Sequence, residues 1–318
     1  MRIGLLSNPG STRNRAGMAA IEALAERTPE ILHRRFEPAL GFGPPLQAFA
    51  ARGCEVVVVS GGDGTVQGVL TELLAHRPFA QPPALAILPR GMANMTATDC
   101  GLGGHDAATL EKLVATCRSG RLGDSLVTRH ILKANHADGV TAPRGLFMGA
   151  AGIIDIIQFV TGRLHSRGIK GEWSHAVTIL GLLGLCLFRG FRALGLRAHR
   201  VGLAIDGAAR RDEELAILIA TTLDRLVLHS RPYWGAGDLP LRHTRFAHPP
   251  KGLVRHAWRL LYGGADRQLP GDSYRSGGAR RLELWLDGPF TIDGEFFTPA
   301  PGRPVTVTAD ETIRFARV

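Results

Sequence analysis

The stretch Val56-Val57-Val58-Val59-Ser60-Gly61-Gly62-Asp63-Gly64-Thr65-Val66 holds the residue types that phosphate chemistry needs. An apolar run leads into three glycines around one aspartate, followed by a threonine and a helical pattern. Glycines there let backbone amides approach a phosphate closely, and a helix N-terminus adds partial positive charge. A carboxylate in such a turn can hold Mg²⁺ directly or through water. The plain alternative is a strand-to-helix turn in which Asp63 or Thr65 acts as a cap. The stretch is not a P-loop, which requires Gly-Lys-Ser/Thr, nor the Gly-x-Gly-x-x-Gly of a dinucleotide fold.

A second apolar run, Ala84–Leu88, enters Pro89-Arg90-Gly91-Met92-Ala93-Asn94-Met95 about 27 residues further on. A third, Ile3–Leu6, leaves through Ser7-Asn8-Pro9-Gly10. In a parallel α/β sheet such exits gather at one edge, where ligands bind. Late in the chain Asp293-Gly294-Glu295 lies between Phe290-Thr-Ile and Phe296-Phe297. Asp-Gly in that setting is a β-hairpin signal. Asp206-Gly207 is a similar turn without a trailing acid, and it reads as structural alone.

The elements that must position these residues alternate through residues 1–125. Strand patterns at Ile3–Leu6, His33–Phe36, Glu55–Val59 and Ala84–Leu88 interleave with helical ones at Met18–Glu26, Pro45–Ala51, Val66–Ala75 and Thr109–Arg118. The valine run is the mark of a strand buried on both faces. An open, mostly parallel α/β domain follows. Over residues 126–302 short β-type runs dominate, around one helical island at about 173–192. A β-rich, sandwich-like second domain is expected there, with the C-terminal segment 303–318 able to complete the first. Gly235–Pro250 reads as a loop.

Taken in order, Asn8-Pro9, Gly61–Thr65, Leu88–Asn94 and Asp293–Glu295 resemble the diacylglycerol kinase catalytic-domain family, which includes sphingosine and ceramide kinases and bacterial lipid kinases. Phe147–Asp155 also looks like that family's Gly-rich segment ending in an aspartate. The resemblance spans nearly the whole chain. It implies an ATP- and Mg²⁺-dependent transfer of phosphate to a lipid hydroxyl. Asn8, Gly61, Gly62, Gly64, Thr65, Gly91 and Asn94 would then hold the nucleotide phosphates. Asp63 would organise the Mg²⁺–water network, and Glu295 with Asp293 would stand nearest the acceptor hydroxyl. The chain departs from the family pattern at Met92, where a threonine is usual, and at Met95, where an acid often follows the asparagine. Asp99, one helical turn on, is a candidate replacement metal ligand. Arg13 or Arg15 could supply the charge of the family's N-terminal lysine. NAD kinase shares Gly-Gly-Asp-Gly-Thr, but Pro89–Asn94 does not follow its second motif. A non-catalytic lipid or nucleotide sensor is the other alternative.

Composition sets the surroundings. Of 318 residues, 38 are Lys or Arg and 34 of these are arginine, giving a net charge of +10. No zinc-finger spacing, RNP-like signature or basic heptad region accompanies the charge, so nucleic acid is not the expected partner. About +8 of it lies in residues 126–302, suited to an anionic membrane surface. Arg163, Arg167 and Lys170, ahead of the apolar segment Trp173–Phe188, are the candidate membrane contacts. The longest apolar stretch, Val177–Phe188, is twelve residues without a charge, whereas a spanning helix needs about 20. Four cysteines without pairing or metal spacing fit a reduced compartment. The expected location is therefore cytoplasmic, peripheral to the inner face of a membrane, and a homodimer is compatible with these features.

Overall fold

The computed structural model describes residues 1–157 and 197–318. The helical island, the basic cluster Arg163, Arg167 and Lys170, and the apolar segment Trp173–Phe188 lie outside them. Among the described residues no helix is long and apolar enough to cross a membrane.

The chain forms two compact units. The first comprises Met1–Ile131, Pro143–Gly145 and Glu311–Val318. Its elements are β1 (Arg2–Ser7), α1 (Asn14–Gly17), α2 (Ala19–Arg27), β2 (Ile31–Arg35), α3 (Gly43–Ala51), β3 (Cys54–Gly61), α4 (Asp63–His76), β4 (Ala84–Pro89), α5 (Met95–Cys100) and α6 (Ala107–Arg118). The strands run parallel in the order β4-β3-β1-β2, as the alternating pattern requires. Val56 and Val58 pack with Ile3, Leu5, Ile21, Leu24 and Leu110. Val57 and Val59 are equally buried, so both faces of β3 are covered. Each such side chain contributes roughly 1.5–3 kcal/mol relative to exposure. Asp106 caps α6 by accepting the Thr109 N–H at 3.0 Å.

Three later segments complete this unit. The first residues of β5 (Leu126–Asn135) belong to it, as does β6 (Arg144–Gly145). Arg144 donates its backbone N–H to Thr71 at 2.9 Å and pairs with Glu311 at 2.8 Å. Near the C-terminus Phe315 pairs in parallel with Leu85 of β4.

The second unit comprises Leu132–Ala142 and Leu146–Asp310 and is antiparallel and β-rich. It contains β7 (Phe147–Ala151), β8 (His199–Ile205), β9 (Arg211–Thr221), β10 (Leu241–Ala247), α7 (Leu253–Tyr262), β11 (Tyr274–Ala279), β12 (Arg281–Leu286), β13 (Phe290–Ile292), β14 (Glu295–Phe297) and the first part of β15 (Val305–Ala316). Its order is β14-β13-β7-β9-β8-β12-β15, with β10 paired to β9 and β11. Alternate residues such as Met148, Ala150, Leu218, Ala220, Leu282, Leu284, Phe290 and Ile292 form its core.

Two features of this unit correct the sequence reading. Gly235–Pro250 is not all loop, because Leu241–Ala247 is a strand. Hydrogen bonding to β9 on one edge and β11 on the other outweighs its modest apolar content. The helix α7 was not expected either. Its apolar residues form one broad face opposite Arg255, His256 and Arg259, a helical period that the reading of this region as short β-type runs passed over.

Within β10, His243 is 4% exposed, and its Nδ1 has no hydrogen-bond partner. Burial, helped by the charge of Arg245 and opposed by Asp206, lowers its pKa from 6.5 to about 4. The folded chain thus resists a proton that the unfolded chain accepts. This contribution to stability is complete above pH 6.5 and is lost as pH falls from there towards 4, amounting to about 3 kcal/mol. His243→Leu should remove that part of the acid sensitivity. Urea midpoints at pH 7 and pH 4.5 measure it, and an unchanged difference between the two would exclude His243 as its source.

Candidate active site

The exits of β1, β3 and β4 meet at one edge of the first unit, where Asn8, Gly61–Thr65 and Gly91–Asn94 come together. The backbone N–H of Asn8 donates to Ser60 O at 3.0 Å, and that of Arg90 to Gly61 O at 2.9 Å. The side-chain amide of Asn8 donates to Thr65 Oγ1 at 2.8 Å, and its oxygen accepts the Gly10 N–H at 2.9 Å. Asn94 closes its own loop. Its Oδ1 accepts the Gly91 N–H at 2.8 Å, its Nδ2 donates to Gly91 O at 2.8 Å, and its backbone sits at φ 47°. Asparagine tolerates that left-handed conformation better than most residues.

Gly62 and Gly91 allow the two loops to touch. A Cβ on Gly91 would lie 2.4 Å from Gly62 Cα, so no side chain fits between them. The result is a surface of backbone amides. No side chain caps α4 at Gly62, so its first-turn N–H groups retain the anion preference of a helix N-terminus.

Asp63 occupies the first turn of α4 and faces α5. Its two carboxylate oxygens accept the N–H groups of Met95 and Thr96, each at 3.0 Å. It therefore joins the β3 turn to the β4 turn and caps α5. Burial pushes its carboxyl above the usual carboxylate range, against the pull of the Thr96 and Met95 amides. Each oxygen still has lone-pair capacity for a cation or water.

Asp99 is buried and paired with Arg129 Nε at 2.8 Å, so the guanidinium lies where it neutralises the carboxylate. Arg13 donates its backbone N–H to Arg90 O at 3.0 Å and reaches Pro89 O with its guanidinium at 3.5 Å. Sequence reading passed over Asn14, which is buried and donates to Asn8 O at 2.8 Å and Ser60 O at 2.9 Å. Its role is to tie the β1 exit to β3, and nothing in its local sequence marks that link.

In the second unit, Asp293 and Gly294 form the β13–β14 turn at φ 48° and 94°, the backbone expected of Asp-Gly. Asp293 is 3% exposed, and its oxygens accept the N–H groups of Leu146 and Phe147 at 3.0 and 2.8 Å. Both oxygens thereby hold the hairpin onto β7. Glu295 follows at the start of β14, exposed, and its carboxylate makes no ion pair or hydrogen bond to a described residue. Asp206, in the matching turn at φ 51°, is exposed and accepts the N–H groups of Arg280 and Arg281 at 2.8 Å.

Asp155, at the end of the Gly-rich segment, pairs with His199 Nε2 at 2.9 Å beside a cavity of about 230 Å³ lined also by Ile154, Val201 and Leu286. Cys54, Cys100 and Cys117 are buried, and no disulfide joins described residues.

Known proteins resemble this chain in the sequence of its first unit and in fold. The family model for the diacylglycerol kinase catalytic domain matches residues 2–122. A probable lipid kinase YegS-like protein of Enterobacter sp. (strain 638) is 46% identical over 50 residues, a stretch that spans 16% of each protein. Among solved structures, a candidate diacylglycerol kinase of Bacillus anthracis str. Sterne superposes with a TM-score of 0.66 at 16% identity, covering 99% of this chain and 96% of that one. A diacylglycerol kinase from the same organism gives 0.59 at 15% identity, covering 99% and 96%. At such identity these structures bear on the fold. Within this chain, residues 2–122 are therefore similar in sequence to the diacylglycerol kinase catalytic domain, and the whole chain shares the fold of the solved structures.

Proposed function

We propose that the chain transfers the γ-phosphoryl group of ATP to a hydroxyl group of a lipid, with Mg²⁺. The observation that carries this reading is the meeting of three strand exits around an uncapped helix N-terminus, inside a stretch similar in sequence to the diacylglycerol kinase catalytic domain. The amides of Gly62, Asp63 and Gly64 and the side chains of Asn8 and Thr65 would hold phosphate oxygens. Bound Mg²⁺ would offset charge on those oxygens. The residues present suit it: Mg²⁺ commonly rests on one or two carboxylates plus substrate phosphates, and Asp63 offers one.

Phosphoryl transfer needs mostly positioning. The Gly91–Asn94 loop, fixed by its own side chain and by Asp63, would set where the phosphates lie. Glu295 would accept the proton of the acceptor hydroxyl as its oxygen bonds to phosphorus and ADP leaves. Asp293 would hold the Glu295 hairpin in place. An anionic membrane is the proposed partner, since the acceptor resides there, and the proposed location is the cytoplasmic face.

The test is incubation with γ-labelled ATP, with Mg²⁺ or with EDTA. Diacylglycerol, ceramide, sphingosine, a whole lipid extract and NAD serve as parallel acceptors. Mg²⁺-dependent label in a lipid is expected. Label in NAD alone would replace the proposal by an NAD kinase, and ATP binding without any transfer would replace it by a nucleotide-binding regulator.

A further inference from the structure

The helix α7 presents an unusual outer face. Its inner residues Leu253 and Leu260 pack in a cluster with Phe246 and Tyr274. Outside, Val254 is 57% and Trp258 74% exposed, and Tyr262 is exposed as well. At 3.6 residues per turn these three occupy an arc of about 80°, and Arg255 and Arg259 lie beside it within about 60° of its edge. The rings of Trp258 and Tyr262 lie 4.7 Å apart. Tyr262 donates its hydroxyl to Leu228 O at 3.2 Å, which brings exposed Leu228 to the same patch. The helix end is fixed, because Arg267 donates to the carbonyls of Arg259 and Leu260 at 3.0 and 2.6 Å.

Keeping a tryptophan and its apolar neighbours in water costs free energy, and such a patch marks a contact surface. The charge beside it selects the partner. Residues 248–265 contain no carboxylate, and the exposed face carries Arg255 and Arg259. Aromatic rings with an apolar body and a polar edge settle at the headgroup level of a bilayer, and flanking arginines meet anionic headgroups. We infer that α7 is a membrane-docking helix that inserts Val254, Trp258 and Tyr262 into an anionic lipid surface while Arg255 and Arg259 bind its headgroups. This inference rests on the lipid-acceptor reading and names the surface by which this chain reaches it.

Co-sedimentation of the full chain with vesicles tests it, using phosphatidylcholine alone or mixed with phosphatidylglycerol. The wild type should bind the mixed vesicles, and Trp258→Ser should weaken binding about tenfold or more. The double variant Arg255→Gln, Arg259→Gln should lose the preference for phosphatidylglycerol. Both should melt with the wild type, since the changed side chains point outward. Each should also phosphorylate a short-chain acceptor, dissolved below its micelle concentration, at the wild-type rate. Equal vesicle binding by wild type and Trp258→Ser would overturn the inference. So would a wild-type dimer that Trp258→Ser dissociates without changing vesicle binding, which would make the occupant a second copy. Failure of the kinase reading is distinct, appearing as no phosphorylation of the short-chain acceptor by any form.

Discussion

Asp63→Asn is expected to lower phosphoryl transfer by about a hundredfold or more, the scale on which a lost preorganised electrostatic contact acts. Two physical effects combine. The substitution removes the one carboxylate in the phosphate turn, and so the charge that would face Mg²⁺. It also turns an amide N–H₂ towards a backbone donor, because the oxygens of Asp63 now accept both Met95 N–H and Thr96 N–H. One of those two would lose its partner, at a cost of roughly 1–3 kcal/mol. The Gly91–Asn94 loop would lose its tie to the β3 turn, so stability should fall along with activity. Thermal melting, ATP binding and turnover at saturating Mg²⁺ separate the two effects. Near wild-type turnover at saturating Mg²⁺ would remove Asp63 from the chemistry and leave it as a cap.

Asp63 also shows how far sequence reading reaches. The strand, the glycine turn and the helix are local, and each follows from residue types within about ten positions. Four valines in a row read as a strand covered on both sides, which is where β3 lies. That strand exits would share an edge follows from parallel order. Partners distant in sequence were beyond reach. Met95 and Thr96 lie 32 and 33 residues from Asp63, and their amides carry no side-chain signature. The ion pair of Asp99 was equally hidden, because its partner, Arg129, is 30 residues away and on another element. The second unit was less legible for the same reason. β10 is held by non-local pairing on both edges, and α7 owes its place to a cluster formed by residues from three strands.

The two Asp-Gly turns look alike in sequence and in backbone, with positive φ at both residues of each. What separates them is what surrounds the aspartate. Asp206 is exposed and braces the chain at Arg280 and Arg281, whereas Asp293 is buried on Leu146 and Phe147 and precedes a glutamate that pairs with no described residue.

Glu295→Gln is therefore expected to lower kcat by at least about tenfold, and by about 10²–10⁴-fold if the full effect of a general base is lost, with little change in ATP affinity. Glutamine keeps the size and polarity of the side chain at an exposed position, so the hairpin should be unaffected and melting should match the wild type. Asp206→Asn serves as the comparison and should leave kcat close to wild type. Asp293→Asn should behave differently from both. Its side-chain amide would face the Leu146 or Phe147 N–H, so it should lower stability by roughly 1–3 kcal/mol and reduce kcat only through the position of Glu295. The discriminating measurement is kcat, with ATP affinity and melting alongside, for the wild type, Glu295→Gln and Asp206→Asn. Equal kcat losses from Glu295→Gln and Asp206→Asn would reduce residues 293–295 to a turn and place the acceptor's base elsewhere in the chain.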